Sequence, residues 1–463
     1  MTIEKSPNLE PGEARCPGPS TRDIILADGH TVPDALVTES YEYLGDQDIP
    51  YERYVSREFF DREIEKLWPK VWQWACRAEH VPEVGDHFVY DIGPYSMLIV
   101  RHGEGPEDIR AFHNSCLHRG TQLKASGTRG SSDNLRCPFH GWTWALDGSL
   151  AEIPCRWDFP HVNEEDYQLP EVRVGIWGGF VFINMDPDCE PLETHLEVLP
   201  EHFANWPLEE RYIHVHIQKV LPANWKAVQE AFAEAYHVLE THSQALKTAG
   251  DANAQYDVFG ERTSRFIHTV GYPSPHLKNP PSQKEIVSLM RGGGEDIDVP
   301  EGETARTVVA EHLRKNLGDA YGMDLSDWSP SELMDSIQYH LFPNTYFHAG
   351  VTLPLIYRFR PNGMDVNSAI FDILVLRPLE PGQAAPEAPD PVLLGEGDSY
   401  TTVEGLDPGL GRVYDQDTGN LRMQQRGIIA SYAASRKPGE TLGNYQEVRI
   451  RRIHKTLDKF LSL

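Results

Sequence analysis

Short runs of β-branched and aromatic residues, separated by Gly, Pro and Asp turns, fill the stretch from about residue 81 to residue 189. Alternation of this kind is typical of antiparallel strands that have one buried face. The clearest runs lie at residues 87–90, 97–100, 172–174 and 180–183. We therefore predict a small antiparallel β domain over residues 73–189.

The pattern changes after residue 189, where helical spacing and strand-like alternation both occur. The segments, in chain order, are residues 225–242 (helix), 346–360 (strand), 369–378 (strand) and 417–436 (helix). Strands and helices in separate runs indicate an α+β arrangement. We predict a larger α+β domain with an antiparallel sheet over residues 190–463, and the fold class of the whole chain is therefore α+β.

The N-terminal part lacks a β pattern. Residues 1–45 are polar and begin rich in Pro and Gly, which predicts a poorly ordered arm. Helical spacing over residues 58–74 predicts that residues 46–72 form N-terminal helices packing on the larger domain.

Composition narrows the class of protein. The chain has 463 residues, 40% of them hydrophobic, so it is long enough for two or three domains with real cores. Its net charge of −28 argues against nucleic-acid binding, which relies on a basic surface. The 6 cysteines are too sparse for a disulfide framework, and no apolar stretch is long enough to cross a bilayer. We expect a cytoplasmic protein without a membrane anchor.

Two Cys/His doublets are the most informative motif. Cys116 and His118 form the first doublet, and Cys137 and His140 form the second. Two thiolates on one iron and two imidazoles on the other can hold a [2Fe–2S] cluster, whose potential the neutral imidazoles raise. A structural zinc site has the same ligand count but usually groups Cys with Cys and His with His. The mixed doublets favour the cluster, and zinc stays the alternative.

The segment around the doublets is locally basic within an acidic chain. Residues 110–140 contain five basic residues and one acidic residue, which are Arg110, Arg119, Lys124, Arg129 and Arg136 and Asp133. A local positive surface suits an acidic electron donor. An ordinary solvated loop would show the same composition.

A second constellation contains His237 and His242 in an apolar stretch with nearby carboxylates. Two imidazoles and one carboxylate on one face of Fe(II) leave positions open for O2 and substrate. The alternative is that one or both imidazoles are ordinary core or surface side chains. On a regular helix the two side chains diverge by about 140°, so joint ligation predicts a bent or π-like turn between them.

Together these motifs resemble the α subunit of the Rieske non-heme iron oxygenases, the ring-hydroxylating family. The resemblance rests on the CLHRG and CPFHGWTW contexts of the doublets, on residues 224–226 leading into 234–237 and His242, and on a C-terminal acidic element. It covers the chain from about residue 50 onward. It implies a Rieske [2Fe–2S] domain followed by a catalytic domain that carries a mononuclear iron.

The resemblance also assigns ligands. It implies that the four doublet residues hold the [2Fe–2S] cluster: Cys116, His118, Cys137 and His140. It implies that His237, His242 and an Asp hold Fe(II). Matching Gln425 and Gly427 to the family's Gln-x-Gly element places that Asp at 417, with Asp415 as the competitor. The alternative for either Asp is a capping or turn carboxylate.

Glu234 matches the position of the family's bridging carboxylate. The resemblance implies that Glu234 connects His237 to His140 of another copy of the chain, as an inter-subunit electron bridge. Such a bridge implies a homo-oligomer, commonly a trimer, with or without a small β subunit.

The resemblance implies an oxidoreductase activity. Electrons from NADH would arrive through a ferredoxin or a flavin reductase, and O2 would be the co-substrate. We expect hydroxylation or dihydroxylation of a small hydrophobic, aromatic substrate, as in aromatic hydrocarbon catabolism. The alternative is monooxygenation or demethylation of an alicyclic, quaternary-amine or methoxy substrate. An electron carrier with the cluster alone is the hypothesis from a different class.

Overall fold

The computed structural model describes residues 9–292, 297–380, 382–435 and 437–462. A small β-rich unit is followed along the chain by a larger unit of mixed helices and strands, as the sequence predicts. The α+β fold class is confirmed. Within the described residues, no helix combines the length and apolar character needed to span a membrane.

The N-terminal segment contains short helices and one short strand. They are α1 (Thr21–Ala27), α2 (Asp34–Val37), β1 (Ile49–Pro50), α3 (Glu52–Val55) and α4 (Arg57–Lys66). The structure differs from the predicted poorly ordered arm for residues 20–37, because Ile25 and Leu36 are fully buried against the larger domain. Residues 1–8 of that prediction lie outside the described residues. The helix predicted over 58–74 ends earlier, at Lys66.

A small antiparallel unit follows. Its strands are β2 (Gln73–Arg77), β3 (Asp86–Ile92), β4 (Tyr95–Arg101), β5 (Ile109–His113), β6 (Arg129–Ser131), β7 (Leu135–Arg136), β8 (Thr143–Trp144), β9 (Leu150–Glu152), β10 (Glu171–Trp177) and β11 (Phe180–Asn184). Seven of them form one sheet in the order β2-β11-β10-β5-β4-β3-β6, and β7, β8 and β9 form a second, 3-stranded sheet. The four sequence runs described above lie in β3, β4, β10 and β11.

The larger unit holds the remaining elements. Its helices are α5 (Leu192–Leu196), α6 (Leu199–His202), α7 (Trp225–Glu230), α8 (Val238–Thr241), α9 (Gln283–Met290), α10 (Ala305–Tyr321), α11 (Pro330–Met334), α12 (Pro408–Ala434) and α13 (Val448–Ser462). Its strands are β12 (Arg211–Leu221), β13 (Gln255–Phe259), β14 (Thr263–His268), β15 (Ser336–Leu341), β16 (Thr345–Ala349), β17 (Leu355–Asn362), β18 (Asp365–Pro378), β19 (Val392–Leu394) and β20 (Gly439–Glu440).

Eight of these strands make the central sheet of the larger unit, in the order β13-β14-β15-β16-β17-β18-β12-β19. The main core lies between this sheet, the small unit and α7, α12 and α13. A buried ion pair fixes α4 on α7, with Lys226 Nζ 2.6 Å from Glu63 Oε1. Both side chains are fully buried, so removal of one partner would leave an uncompensated charge. The strand predicted over 346–360 is two strands, β16 and β17.

The long helix predicted over 225–242 is wrong, because α7 ends at Glu230 and the single turn α8 begins only at Val238. Between them, side chains replace the helical carbonyls as hydrogen-bond acceptors. The backbone N–H of Ala235 donates to the Tyr256 hydroxyl over 2.9 Å, and that of His237 donates to Glu234 Oε2 over 3.0 Å. The chain therefore bends ahead of His237.

Candidate metal centres

The first centre, the cluster site, consists of Cys116, His118, Cys137 and His140 on two similar loops. One loop connects β5 to β6 and the other connects β7 to β8. In each loop a glycine four residues after the cysteine donates its N–H to the cysteine carbonyl: Gly120 over 2.8 Å and Gly141 over 3.1 Å. Both glycines have positive φ, 78° and 75°, which closes a tight turn that other residues rarely adopt.

The two loops bring the four side chains of the cluster site together and bury both cysteines. The rings of His118 and His140 lie 4.6 Å apart between centroids, and Cys116 and Cys137 are each only 2% exposed. Burial raises the pKa of the Cys116 thiol, and the adjacent Cys137 adds to the rise. His118 Nδ1 is buried without a hydrogen-bond partner, as expected of a ligand atom. A [2Fe–2S] cluster would supply a partner for it.

A single zinc ion fits this loop pair poorly. Tetrahedral zinc holds its ligand atoms about 2.0–2.3 Å from the ion, so the ligand atoms lie close together. Among the described residues, three ligand atoms come within 4.8 Å of one another at His237, His242 and Asp417. The ligand atoms of the cluster site do not meet that criterion. The zinc alternative therefore loses support.

The second centre, the iron site, consists of His237, His242 and Asp417. Their ligand atoms lie within 4.8 Å of one another. Asp417 Oδ1 is 2.7 Å from His242 Nε2 and 3.5 Å from His237 Nε2. The bent or π-like turn predicted between the two imidazoles is wrong, because α8 is a single α turn in which the N–H groups of Thr241 and His242 donate to carbonyls four residues earlier. The backbone leaves the helix only at His242, with φ −120° and ψ 44°. Two imidazoles and one carboxylate converge as a facial iron site requires.

The two candidate aspartates occupy different positions. The long helix α12 begins at Pro408, capped by Asp407, so the helix predicted from 417 starts nine residues earlier and neither Asp is an N-cap. Asp415 accepts hydrogen bonds from the Ser399 hydroxyl and from the Tyr400 N–H. Asp417 instead lies on the helix face that meets the two imidazoles, which favours it over Asp415 as the ligand.

Each imidazole of the iron site is held by a second side chain. Glu234 Oε1 lies 2.8 Å from His237 Nδ1, and Gln416 Oε1 lies 3.0 Å from His242 Nδ1. Burial alone would lower the pKa of His237. The hydrogen bond to Glu234 and the negative charges of Glu234 and Asp417 together outweigh burial, so the pKa of His237 is raised. Partners at Nδ1 leave Nε2 of both rings directed at the shared site, the tautomer that metal binding needs. Sequence reasoning did not single out Gln416, which immediately precedes Asp417.

One cavity of about 230 Å³ opens beside the iron site, and His237, His242 and Asp417 are among the residues that line it. Its sheet-side wall, the sheet floor, is formed by His268, Ser336, Gln338 and His348 on β14, β15 and β16. Its aromatic wall includes Phe232, Phe266, Tyr357 and Tyr414. Ala235, from the bend ahead of His237, also lines it.

A second cavity of about 320 Å³ lies on the other side of Glu234 and is rich in carboxylates. Burial raises the pKa of Glu230 and of Glu440 to about 8, and that of Glu447 to about 7. Glu230 accepts a hydrogen bond from the Tyr54 hydroxyl. His237 and Asp417 line this cavity too, so the iron site separates an acidic cavity from an aromatic one.

Comparison with known families decides the kind of protein. The model of the Rieske [2Fe-2S] domain matches residues 71–163, and the model of the ring hydroxylating alpha subunit (catalytic domain) matches residues 201–463. The chain belongs to the ring-hydroxylating alpha-subunit family. The resemblance inferred from the motifs is thereby confirmed, and a Rieske alpha subunit carries a [2Fe–2S] cluster and a mononuclear iron.

Among related proteins, the glycine betaine monooxygenase oxygenase subunit of Pseudomonas aeruginosa is 31% identical over 202 residues, which are 43% of this Rieske alpha subunit and 46% of that protein. The chain thus spans about half the length of the curated relatives it matches. Two solved structures share its fold. The quaternary ammonium Rieske monooxygenase CntA with L-carnitine has a TM-score of 0.60 at 16% identity, covering 89% of this chain and 95% of that one. Naphthalene 1,2-dioxygenase with indole has 0.62 at 16%, covering 91% and 93%.

Proposed function

We propose that the chain is the terminal oxygenase component of an NADH-dependent system and that it oxidises a small quaternary ammonium compound. When bound, the cluster supplies electron transfer and the mononuclear iron supplies activation of O2. Cys116, His118, Cys137 and His140 would hold the cluster. His237, His242 and Asp417 would hold the iron. The protein's own part is to position these ligands and to orient the substrate in the 230 Å³ cavity.

The observation that carries the substrate class is the charge of this cavity. Two carboxylates, Glu234 and Asp417, line it, and in the described part of the chain no Lys or Arg side chain does. Asp417 would offset part of the charge of a bound Fe(II), which leaves Glu234 as the carboxylate beside the substrate. A permanently cationic substrate therefore meets no protein cation in this cavity, and an anionic one finds no protein cation to pair with. The named substrates of the glycine betaine and CntA relatives are quaternary amines, which supports the same class.

The aromatic wall also suits an ammonium group. The ring of Phe232 lies 5.6 Å from that of Tyr357 and 6.5 Å from that of Tyr414, and the two tyrosine rings are 5.9 Å apart. Aromatic faces attract quaternary ammonium groups through the ring quadrupole. The hydroxyls of Tyr357 and Tyr414 hydrogen-bond each other over 2.7 Å, which fixes both rings.

An aromatic substrate is the first expectation from the sequence. The similarity to naphthalene 1,2-dioxygenase is a similarity of fold and does not by itself support an aromatic substrate. The aromatic wall would accept such a ring. The sheet floor argues against it, because a hydrocarbon would offer no acceptor to the second N–H of the Gln338 amide nitrogen and no partner to His268 Nε2.

Electron donors and assembly follow from the family. We propose a ferredoxin or flavin reductase as donor and a homotrimer as assembly. Glu234 then connects His237 to His140 of another copy through the acidic cavity. The contact of 2.8 Å between Glu234 Oε1 and His237 Nδ1 supplies one half of that bridge.

The test uses iron-replete protein with a competent reductase and isotopically labelled O2. We expect propyltrimethylammonium to bind and to be oxygenated, and its uncharged carbon isostere and naphthalene to do neither. Tyr414→Leu should weaken ammonium binding about fivefold to thirtyfold, and Tyr414→Phe, which keeps the ring, should change it little. Labelled product from naphthalene but from no ammonium compound would contradict the proposal.

A further inference from the structure

The sheet floor contains a chain of hydrogen bonds whose direction is fixed at both ends. Arg449 Nη1 donates to Gln338 Oε1 over 3.0 Å, and His348 Nδ1 donates to the Leu355 carbonyl over 2.9 Å. Arginine can only donate and a carbonyl can only accept. Gln338 must therefore present its amide nitrogen toward His348, where the Nε2 atoms of the two side chains lie 3.5 Å apart.

This hydrogen-bond chain leaves one donor without a partner in the wall of the cavity. The Gln338 amide nitrogen carries two N–H groups, and only the one toward His348 has a partner within the described residues. His268 Nε2 is buried and has no partner there either. Strand register makes the two residues diagonal neighbours, since His268 pairs with Ser336 and Phe266 pairs with Gln338. Side chains in that relation point from the same face of the sheet.

Gln338 is locked in this orientation by burial. Its exposed fraction is 3%, that of His348 is 3%, and that of Arg449 is 0%. Arg449 also donates to the Ala233 carbonyl over 3.0 Å, so the same guanidinium holds the loop that precedes His237. A buried donor without a partner carries an uncompensated desolvation cost, which a ligand that accepts the hydrogen bond would recover.

We infer that the sheet floor is a subsite for a neutral, hydrogen-bond-accepting oxygen of the substrate, a hydroxyl or a carbonyl, and that Gln338 is its specificity-determining residue. The inference rests on the proposed function, because the aromatic wall and the carboxylates would hold the ammonium end. A carboxylate fits less well: no cation of the described chain lines the cavity, and Arg449 already donates to Gln338 from behind it.

The test measures dissociation constants by calorimetry on iron-replete protein. Choline and propyltrimethylammonium have the same number of heavy atoms and differ by a hydroxyl in place of a methyl. We expect choline to bind at least about tenfold more tightly, a preference worth about 1.4 kcal/mol. Gln338→Leu should bring the ratio of the two dissociation constants to about one. The ratio is the readout because any loss of affinity that both ligands share cancels in it. Glycine betaine should bind more weakly than choline.

Two further variants keep the result interpretable if Gln338→Leu does not fold. His268→Phe removes the other partnerless group and should reduce the choline preference severalfold. Gln73→Leu is the matched control, since Gln73 is a buried glutamine of the small unit that bonds the Trp68 carbonyl and the Tyr90 hydroxyl. It should leave the ratio unchanged.

The outcomes separate the two proposals. Equal binding of choline and propyltrimethylammonium by the wild type, or a preference that survives both Gln338→Leu and His268→Phe, would overturn the subsite. Tighter binding of glycine betaine than of choline would overturn its neutral character. Failure of every ammonium compound to bind would overturn the proposed substrate class itself.

Discussion

The cluster site and the iron site are built in opposite ways. Each half of the cluster site is one loop in which five consecutive residues provide a cysteine, a histidine and a closing glycine. The iron site instead joins His237 and His242 to an aspartate 175 residues beyond His242, delivered by the middle of α12. A centre made from local turns should tolerate changes elsewhere in the chain, whereas one assembled across elements depends on each element's position.

The largest effect should follow removal of the carboxylate of the iron site. Asp417→Ala should lower product formation to about a hundredth or less and release the mononuclear iron, because two imidazoles alone bind Fe(II) weakly. The visible absorption of the cluster should remain. Metal analysis and a turnover assay measure both. Asp415→Asn is the control, because asparagine can still accept from the Tyr400 N–H, and it should stay near wild-type activity.

The reverse experiment addresses the cluster site. Cys137→Ser should abolish the visible cluster absorption and turnover driven by the reductase, since serine is a poor ligand for this iron. One iron per chain should remain at the iron site. Loss of that iron as well would show that the two centres are not independently built.

A smaller effect should follow Glu234→Gln. Both carboxylate oxygens of Glu234 accept hydrogen bonds from His237, from its ring and from its backbone N–H. A glutamine can accept only one of them, so iron affinity or turnover should fall about tenfold to a hundredfold. Unchanged turnover with normal iron content would remove Glu234 from the electron route.

The smallest effect concerns stability and pH. Burial raises the pKa of Glu230 to about 8, above the ordinary carboxyl value, so the folded state binds a proton that the unfolded state loses near pH 4.5. The contribution of Glu230 to stability should therefore be fully present below that pH and be lost as pH rises through about 8. A pKa that is higher by one in the folded state than in the unfolded state corresponds to about 1.4 kcal/mol of this fall. Glu230→Gln should flatten the fall in urea unfolding measured from pH 5 to 8.5, with Tyr54→Phe as the comparison.

An equally steep fall in the Glu230→Gln variant would assign the pH dependence to other groups. Glu440 is the first of these, since burial and the charge of Glu230 raise its pKa to about 8 as well. His454 is kept neutral because burial holds its pKa well below the ordinary value. Lys226 and Arg53 act in the opposite direction on Glu230, since their positive charges lower its pKa.

The sequence predicted what is encoded locally. The alternating runs predicted β3, β4, β10 and β11, and the doublets predicted two loops with their ligands side by side. The helix break before His237 depends on the hydroxyl of Tyr256, which is 21 residues away from Ala235. No periodicity over residues 225–242 contains that information.

The start of α12 was missed for a different reason. Asp407 and Pro408 form a capping signal that the sequence does contain, but it lies ahead of the acidic residues from which the helix was predicted to begin. Burial of Ile25 and Leu36 in the N-terminal segment depends on contacts with distant parts of the chain. The polar composition of residues 1–45 contains no information about those contacts, so it predicted a poorly ordered arm. The order of the sheet floor likewise arises from strand register.

Iron quantification with Mössbauer spectroscopy on the purified, iron-replete protein tests the central claim most directly. We expect about three irons per chain. Two belong to the cluster, where one iron is bound by cysteines and the other by imidazoles, and the third is the mononuclear iron. We also expect that Asp417→Ala retains only the cluster pair. A protein that holds only two irons, or zinc in place of the cluster, would contradict the central claim.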